Sequence, residues 1–466
     1  MKRIAIFTMS VLLAVSAMGQ QYSFTFKAAG ATDTMAYLAQ HYRDEFVKLD
    51  STRLVAGQYV FKGKRSLPRG IYALLRQDGK TLLTDFLVDD SRTFTISGDA
   101  SMTPTSVKVK GSAANQLMFD YTAKQQWARN RADSLKKAKD DAGMEALTAV
   151  MDAYQTEMDV KGRGNLYLQM VKLCEPPTVD DSVADKPLYY RMHYWDPLFN
   201  TPTGDPSLKT LHSELLRSPQ LFSKMNFFFF GLLYRADADT IMKELDRLMA
   251  RIGDDTAMAR YVMQFIEPRY YRSTRNIGWD AVWCHIASEY ILKGRCPWMR
   301  ESEIYLAKQN YGRISKSLIG AHGQELWMLD TTQIDSPEHW HSSHRLPTKY
   351  VILWFWDPDC HHCQEQSAEL KVLYDSLLTA PYRPFEVYAI GYDSDVPKWK
   401  NYVKTHGFNW INVGGSNVNV DYQEAYNVHG APTMIILDEN RDIIMNKVLP
   451  IKSLMKFFEE YDKRGK

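Results

Sequence analysis

The sequence predicts a multidomain protein: a small N-terminal β-sandwich, a central all-α domain and a C-terminal α/β domain. Its 466 residues exceed what one hydrophobic core usually sustains. Along the chain, short strand-like runs bounded by turn residues give way to helical spacing, and then to strands alternating with helices. Composition agrees, since 45% hydrophobic and 12% aromatic residues with 24% charged describe a folded chain and argue against disorder, collagen or an integral membrane protein. Lys and Arg (57) barely exceed Asp and Glu (55), so the basic excess of a nucleic-acid binder is missing.

Residues 1–19 read as a secretory signal. Lys2 and Arg3 precede an apolar run over 4–17, and small residues stand at Ala17 and Gly19, after which cleavage is expected. The run falls short of the roughly 20 apolar residues of a spanning helix, and no Cys near the cleavage point is placed to accept a lipid. The mature chain is therefore expected to be exported to the periplasm or elsewhere in the cell envelope, with no integral membrane segment. The apolar stretch 227–234 is also too short to span and reads as a buried helix segment.

The β-sandwich takes 20–112, with strands over 22–27, 59–62, 70–76, 81–88, 93–98 and 107–110. Turn pairs such as Asp78-Gly79 and Gly98-Asp99 separate several of them. The helical domain follows over 113–322. One polar helix opens with Asn115, Leu117, Met118 and Tyr121 and continues past Gln155, and further helices are expected over 238–252, 257–265 and 279–292. Aromatic and Met stripes in this domain read as core, and it holds no chemical motif. The α/β domain takes 323–466. Strands over 350–356, 385–392, 410–413, 433–437 and 442–448 alternate with helices over 364–378, 396–406, 422–426 and 451–461. That order implies a mostly parallel sheet covered on both faces, with its last two strands paired as a hairpin.

The chemistry gathers in Cys360-His361-His362-Cys363, where a buried strand turns into a helix. A sulfur at a helix N-terminus meets unpaired N–H groups and the positive end of the helix dipole. Both favour its thiolate, the reactive species in disulfide exchange. Cys360 is the expected nucleophile. Cys363, one turn inward, is the expected resolver, attacking the Cys360 sulfur to break a mixed disulfide. His362 can set a positive charge or a donor beside the thiolate. Asp357 and Asp359 oppose it, from solvent-facing positions screened over about 8 Å. The second element is Ala431-Pro432-Thr433, ahead of a strand. A Pro there cannot donate to the sheet, and a cis bond would hold the Ala431 backbone beside Cys360, ready to pair with a substrate backbone.

The run Phe355-Trp356-Asp357-Pro358-Asp359-Cys360-His361-His362-Cys363, followed by Tyr426-Asn427-Val428-His429-Gly430-Ala431-Pro432-Thr433, resembles the TlpA/ResA-like family of thioredoxin-fold thiol–disulfide oxidoreductases. The upstream arrangement, with Tyr194-Trp195-Asp196 in its helical region, resembles the multidomain type common in Bacteroidota. The resemblance implies a thioredoxin-like fold for 323–466 and disulfide exchange with protein substrates in the cell envelope. It also implies Cys360 as nucleophile, Cys363 as resolver and Pro432 as the cis-Pro of the substrate groove; Trp356, His361, His362 and Ala431 are the expected supporting residues beside them. Two positions depart from the pattern. The family often has Glu three residues after the second Cys and Pro five after it, where this chain has Gln366 and Ala368. The carboxylate that would assist proton transfer is thereby missing, and a straighter active-site helix is implied. With His362 outweighing the aspartates, the potential should lie roughly near −200 mV, less reducing than thioredoxin's roughly −270 mV.

Cys174, Cys284 and Cys296 remain. Cys284 and Cys296 stand at the two ends of an expected helical stretch, far beyond the roughly 7 Å Cα limit for a disulfide, and all three read as buried free thiols. The dithiol calls for no cofactor. A metal-binding module is the rival from another class, because Cys360, His361, His362 and Cys363 are potential ligands and His339, His341 and His344 lie upstream. Adjacent His side chains on a helix diverge, however, and the upstream trio reads equally as a polar loop before Tyr350. In a further alternative the chain is an envelope binding protein whose upstream domains select a partner, with the redox domain accessory. The expected partners are protein thiols or disulfides and an envelope redox partner that the residues do not name.

Overall fold

The computed structural model describes residues 22–199, 212–272, 276–330, 339–378, 383–392, 395–418 and 421–464. The expected signal, 1–19, lies outside them. The chain divides into two compact units, one of Met1–Tyr234 with Arg251–Tyr261 and one of Arg235–Ala250 with Val262–Lys466.

The first unit opens with β1 (Tyr22–Ala29), β2 (Met35–Tyr42), β3 (Glu45–Arg53), β4 (Tyr59–Gly63), β5 (Gly70–Leu75), β6 (Leu82–Val88), β7 (Thr93–Asp99) and β8 (Lys108–Lys110). They form two four-stranded sheets, ordered β4-β1-β7-β8 and β3-β2-β5-β6. Strand β1 alternates cleanly, burying Tyr22, Phe24, Phe26 and Ala28 on one face. The ring of Phe24 lies 4.5 Å from Phe94 of its own sheet and 5.5 Å from Phe86 of the other, so one aromatic core joins the two sheets as a sandwich. The hairpin β2–β3 was not anticipated. Its turn holds Arg43 at φ 59° with no Gly, and β3 is largely exposed, so neither a turn pair nor apolar alternation announces it.

Helix α1 (Ala113–Ala138) follows, capped by Ser112, whose oxygen accepts from Asn115 N. The single long helix expected past Gln155 is in fact two, because Lys139 turns left-handed at φ 53° and Asp140 caps α2 (Asp141–Lys161) by accepting from Gly143 N at 2.8 Å. Polar residues run through both helices, which hides the break from periodicity. The unit continues with α3 (Leu166–Cys174), α4 (Lys186–His193), α5 (Asp196–Phe199), α6 (His212–Leu215) and α7 (Pro219–Phe227). Helix α7 runs on as a π-helix over Phe228–Leu232, in which Phe228 and Phe229 are buried.

Helices α8 (Ala238–Ile252) and α9 (Thr256–Tyr271) contribute residues to both units, and α9 runs through Pro268 beyond its expected end. The second unit adds α10 (Trp279–Ile286), prolonged by a π-helix over Ala287–Ile291, and α11 (Glu301–Ile314). Its sheet consists of β9 (Trp327–Asp330), β10 (His339–Ser342), β11 (Tyr350–Trp356), β12 (Phe385–Gly391), β13 (Ile411–Val418), β14 (Thr433–Leu437) and β15 (Ile443–Met445), in the order β10-β9-β13-β12-β11-β14-β15. Helices α12 (His361–Leu378), α13 (Val396–His406), α14 (Tyr422–Tyr426) and α15 (Leu454–Arg464) complete the unit.

The sheet is mixed rather than mostly parallel. Strands β11, β12 and β13 pair in parallel, whereas β9, β10, β14 and β15 join antiparallel. The antiparallel additions at the two edges need no crossover helix. The expected hairpin β14–β15 is present, and the stretch read as a polar loop, with His341, contains β10 instead. Strand β11 has all seven residues buried, as a continuous apolar run requires when both of its faces are covered. Among the described residues no helix is long and apolar enough to cross a membrane.

Candidate active site

The central strand delivers the reactive segment. Trp354 Nε1 donates to Ser367 Oγ at 2.9 Å, both fully buried, which pins α12 against β11. Beyond Trp356 the chain turns: Asp357 Oδ1 accepts from Asp359 N at 2.6 Å, and Cys360 N donates to Asp357 O at 3.2 Å. Cys360 then stands at the N-cap of α12. Its carbonyl accepts from Gln364 N at 3.1 Å, and its Sγ accepts from Cys363 N at 3.2 Å, where a capping Ser or Asp would place an oxygen. Gln364 Nε2 closes the turn by donating to Pro358 O at 2.7 Å.

Cys360 is half-buried and Cys363 fully buried, and the two are joined as a disulfide. The Ala431–Pro432 peptide is cis, and the Ala431 carbonyl oxygen lies 3.6 Å from Cys360 Sγ. Thr433 Oγ1 donates to Gly430 O at 2.7 Å and holds that bend. Trp356 is buried, with its ring 5.5 Å from both Tyr402 and Phe408. His361 and His362 are exposed and both reach Glu365, at 3.3 and 3.4 Å. Asp359 pairs with Lys398 of α13. Glu365 could have been found by its spacing of three and four residues from the histidines. Lys398 carried no signal, since the fold alone brings it to Asp359. Gln366, at the position where Glu is frequent, has a buried Oε1 with no hydrogen-bond partner among the described residues.

The other cysteines are free, Cys174 half-buried and Cys284 and Cys296 buried. Burial pushes their thiols up, to about 12, about 12 and about 11 respectively, which leaves them inert as nucleophiles at neutral pH. Among the described residues no group of three or more His, Cys, Asp or Glu side chains is placed to hold a metal ion.

Residues 348–443 match the thioredoxin-like family model, and residues 22–118 match a domain family of unknown function, DUF4369. No curated protein matches the chain. Among solved structures, the chain is similar to a thioredoxin-like protein from Bacteroides caccae, 18% identical over 61% of this chain and 97% of that one, with a TM-score of 0.45. It is also similar to the thioredoxin domain of a thiol-disulfide oxidoreductase from Bacteroides vulgatus, 19% identical over 31% of this chain and 96% of that one, with a TM-score of 0.26. A thiol:disulfide interchange protein from a Bacteroides species is 21% identical over 31% of this chain and 91% of that one, with a TM-score of 0.27. By that family model, residues 348–443 are a thioredoxin-like domain, and the Cys360–Cys363 disulfide lies within it.

Proposed function

We propose that the protein is a thiol–disulfide oxidoreductase of the cell envelope that exchanges disulfides with protein substrates through Cys360 and Cys363. The observation that carries this reading is the placement of Cys360. Half-buried Cys360 caps α12 with its sulfur, 3.2 Å from Cys363 N and 3.6 Å from the Ala431 carbonyl oxygen, and Cys363 is fully buried. The capping N–H and the helix dipole stabilise a thiolate at Cys360. In the reducing direction that thiolate attacks one sulfur of a substrate disulfide. The substrate S–S bond breaks, a mixed disulfide forms, and the expelled substrate thiolate takes a proton from water. Cys363 then gives up its proton and attacks the Cys360 sulfur, which expels the second substrate thiolate and forms the Cys360–Cys363 disulfide. Two electrons pass from the dithiol to the substrate, and the reverse sequence oxidises a substrate dithiol.

Ala431 and Pro432 shape the groove beside the sulfur, Trp356 packs beneath it, and His361 and His362 offer charge that Glu365 offsets. The signal-like run over 1–19 supports an envelope location. Turnover of insulin disulfides with a thiol reductant tests the reading. Wild-type protein should be active, Cys360→Ser inactive, and Cys363→Ser should accumulate a mixed disulfide at Cys360 visible on a non-reducing gel. A wild type with intact thiols and no turnover would sink it.

A further inference from the structure

A cavity of about 310 Å³ lies between the β-sandwich and the helices that follow it, wholly within the first compact unit. Strand β6, the loop after β7 and helices α1, α3 and α7 form its walls. One side is apolar, lined by Leu83, Met102, Met118 and Phe119, all buried. The other side is polar, and its donors and acceptors are unevenly matched. Thr122 Oγ1 donates to Met118 O at 2.8 Å, so in its 3.4 Å contact with the Tyr167 hydroxyl it accepts and the phenol donates. Burial raises the Tyr167 phenol, and the charge of Asp85 adds to that, so the phenol keeps the proton it donates. Thr84 Oγ1 donates to Asp85 O at 3.2 Å. Acceptors are left over. His41 Nε2 lies 2.7 Å from Asp85 Oδ1, whereas Asp85 Oδ2 has no hydrogen-bond partner among the described residues, and neither has the buried Oε1 of Gln220.

These groups define what would fit. A carboxylate oxygen and a buried amide oxygen without partners call for a hydrogen-bond donor, because an unmatched buried acceptor is costly. The carboxylate favours a cationic donor over a neutral one and repels an anion. Arg129, whose charge also reaches Tyr167, acts on that phenol less than Asp85 does and is not in the lining. On the apolar side Phe119 presents a ring, and Met102 and Met118 present polarisable sulfurs that suit an aromatic body. At about 30 Å³ for a water-sized group, the volume takes about ten non-hydrogen atoms. We propose that this cavity binds a small primary amine, whose ammonium group donates to Asp85 and Gln220 and whose apolar, aromatic body lies against Met102, Met118 and Phe119. The inference does not depend on disulfide exchange. It gives the DUF4369 region, together with the helices behind it, a ligand of its own.

The test is calorimetric titration of the full-length protein with phenylpropylamine, phenylpropanol and phenylpropanoate, which share a body and differ in the head group. The amine should bind about tenfold or more tightly than the alcohol, and the carboxylate should show no binding. Asp85→Asn should bring the affinity for the amine down to that for the alcohol and leave the alcohol unchanged. Leu82→Trp, at a lining position 40% exposed, should fill the mouth and abolish binding of both. Should Asp85→Asn misfold through loss of its His41 contact, the head-group series in wild type and Leu82→Trp still decides. Equal affinity for amine and alcohol, amine binding that survives Leu82→Trp, an Asp85→Asn protein that binds the amine as wild type does, or no amine binding at millimolar concentration each overturns the inference.

Discussion

The reactivity proposed for Cys360 rests on local geometry that the three-residue separation of the two cysteines imposes. A sulfur at the N-cap position meets the N–H of the residue three places on, and in this chain that residue is Cys363, the proposed resolver. The charges around the pair follow other rules. Glu365 lies one turn along α12, on the exposed surface that also carries His361 and His362, and its carboxylate opposes a thiolate at the helix start. Replacing Glu365 with Gln should therefore favour the reduced form. An exposed charge near a helix end is worth about 0.3–1 kcal/mol, and about 30 mV corresponds to 1.4 kcal/mol for a two-electron couple, so the midpoint should rise by roughly 6–20 mV. Redox titration against glutathione measures this, and a midpoint that falls would contradict the assignment. The placement of Cys360 at a helix start, of Cys363 one turn inward and of Pro432 ahead of a strand was legible in the chain, because immediate neighbours set each position. The engagement of the histidines by Glu365 and the pairing of Asp359 with Lys398 were not, because rotamers and neighbouring helices decide them.

Elements show the same division. Strands β1, β5 and β11 are announced by alternating or unbroken apolar runs, since burial on one face or two leaves that signature. Strands β2, β3, β9 and β10 are held by partners rather than by pattern. The junction between the sandwich and its first helix depends on Asn115, fully buried, whose Oδ1 accepts from Leu87 N at 2.7 Å while its Nδ2 donates to Leu87 O at 2.8 Å. The side chain thus acts as an added ladder position on β6. Asn115→Leu leaves both backbone groups of Leu87 buried without a partner and should cost about 2–3 kcal/mol. The melting temperature should drop, and hydrogen exchange at the Leu87 amide should accelerate. Unchanged protection of that amide would show that the bond contributes nothing. Asn115 was visible in the sequence as a helix opener, but its bond to β6 was not.

At the scale of the whole molecule, the compact unit that carries the dithiol begins well upstream of residue 323. Ile443 of β15 donates to Ala321 O at 2.8 Å, and its carbonyl accepts from Gly320 N at 2.7 Å, while Asn446 and Lys447 reach Asp280. A fragment of residues 323–466 leaves these groups unpartnered, whereas one of residues 262–466 keeps them. The shorter fragment should be less stable by about 2–4 kcal/mol and melt at a lower temperature, and equal melting would refute a structural role for the upstream helices. Residue order alone places a β-rich start, a helical middle and a cysteine pair at a strand-to-helix junction, because composition, periodicity and capping act over a few neighbouring positions. The mixed pairing of the large sheet and the division into two units that cuts across the helical region arise from contacts such as that of Asp280 with Lys447, 167 residues apart. Contacts at that separation leave no trace in local pattern, since nothing near either residue depends on the other until the chain has folded.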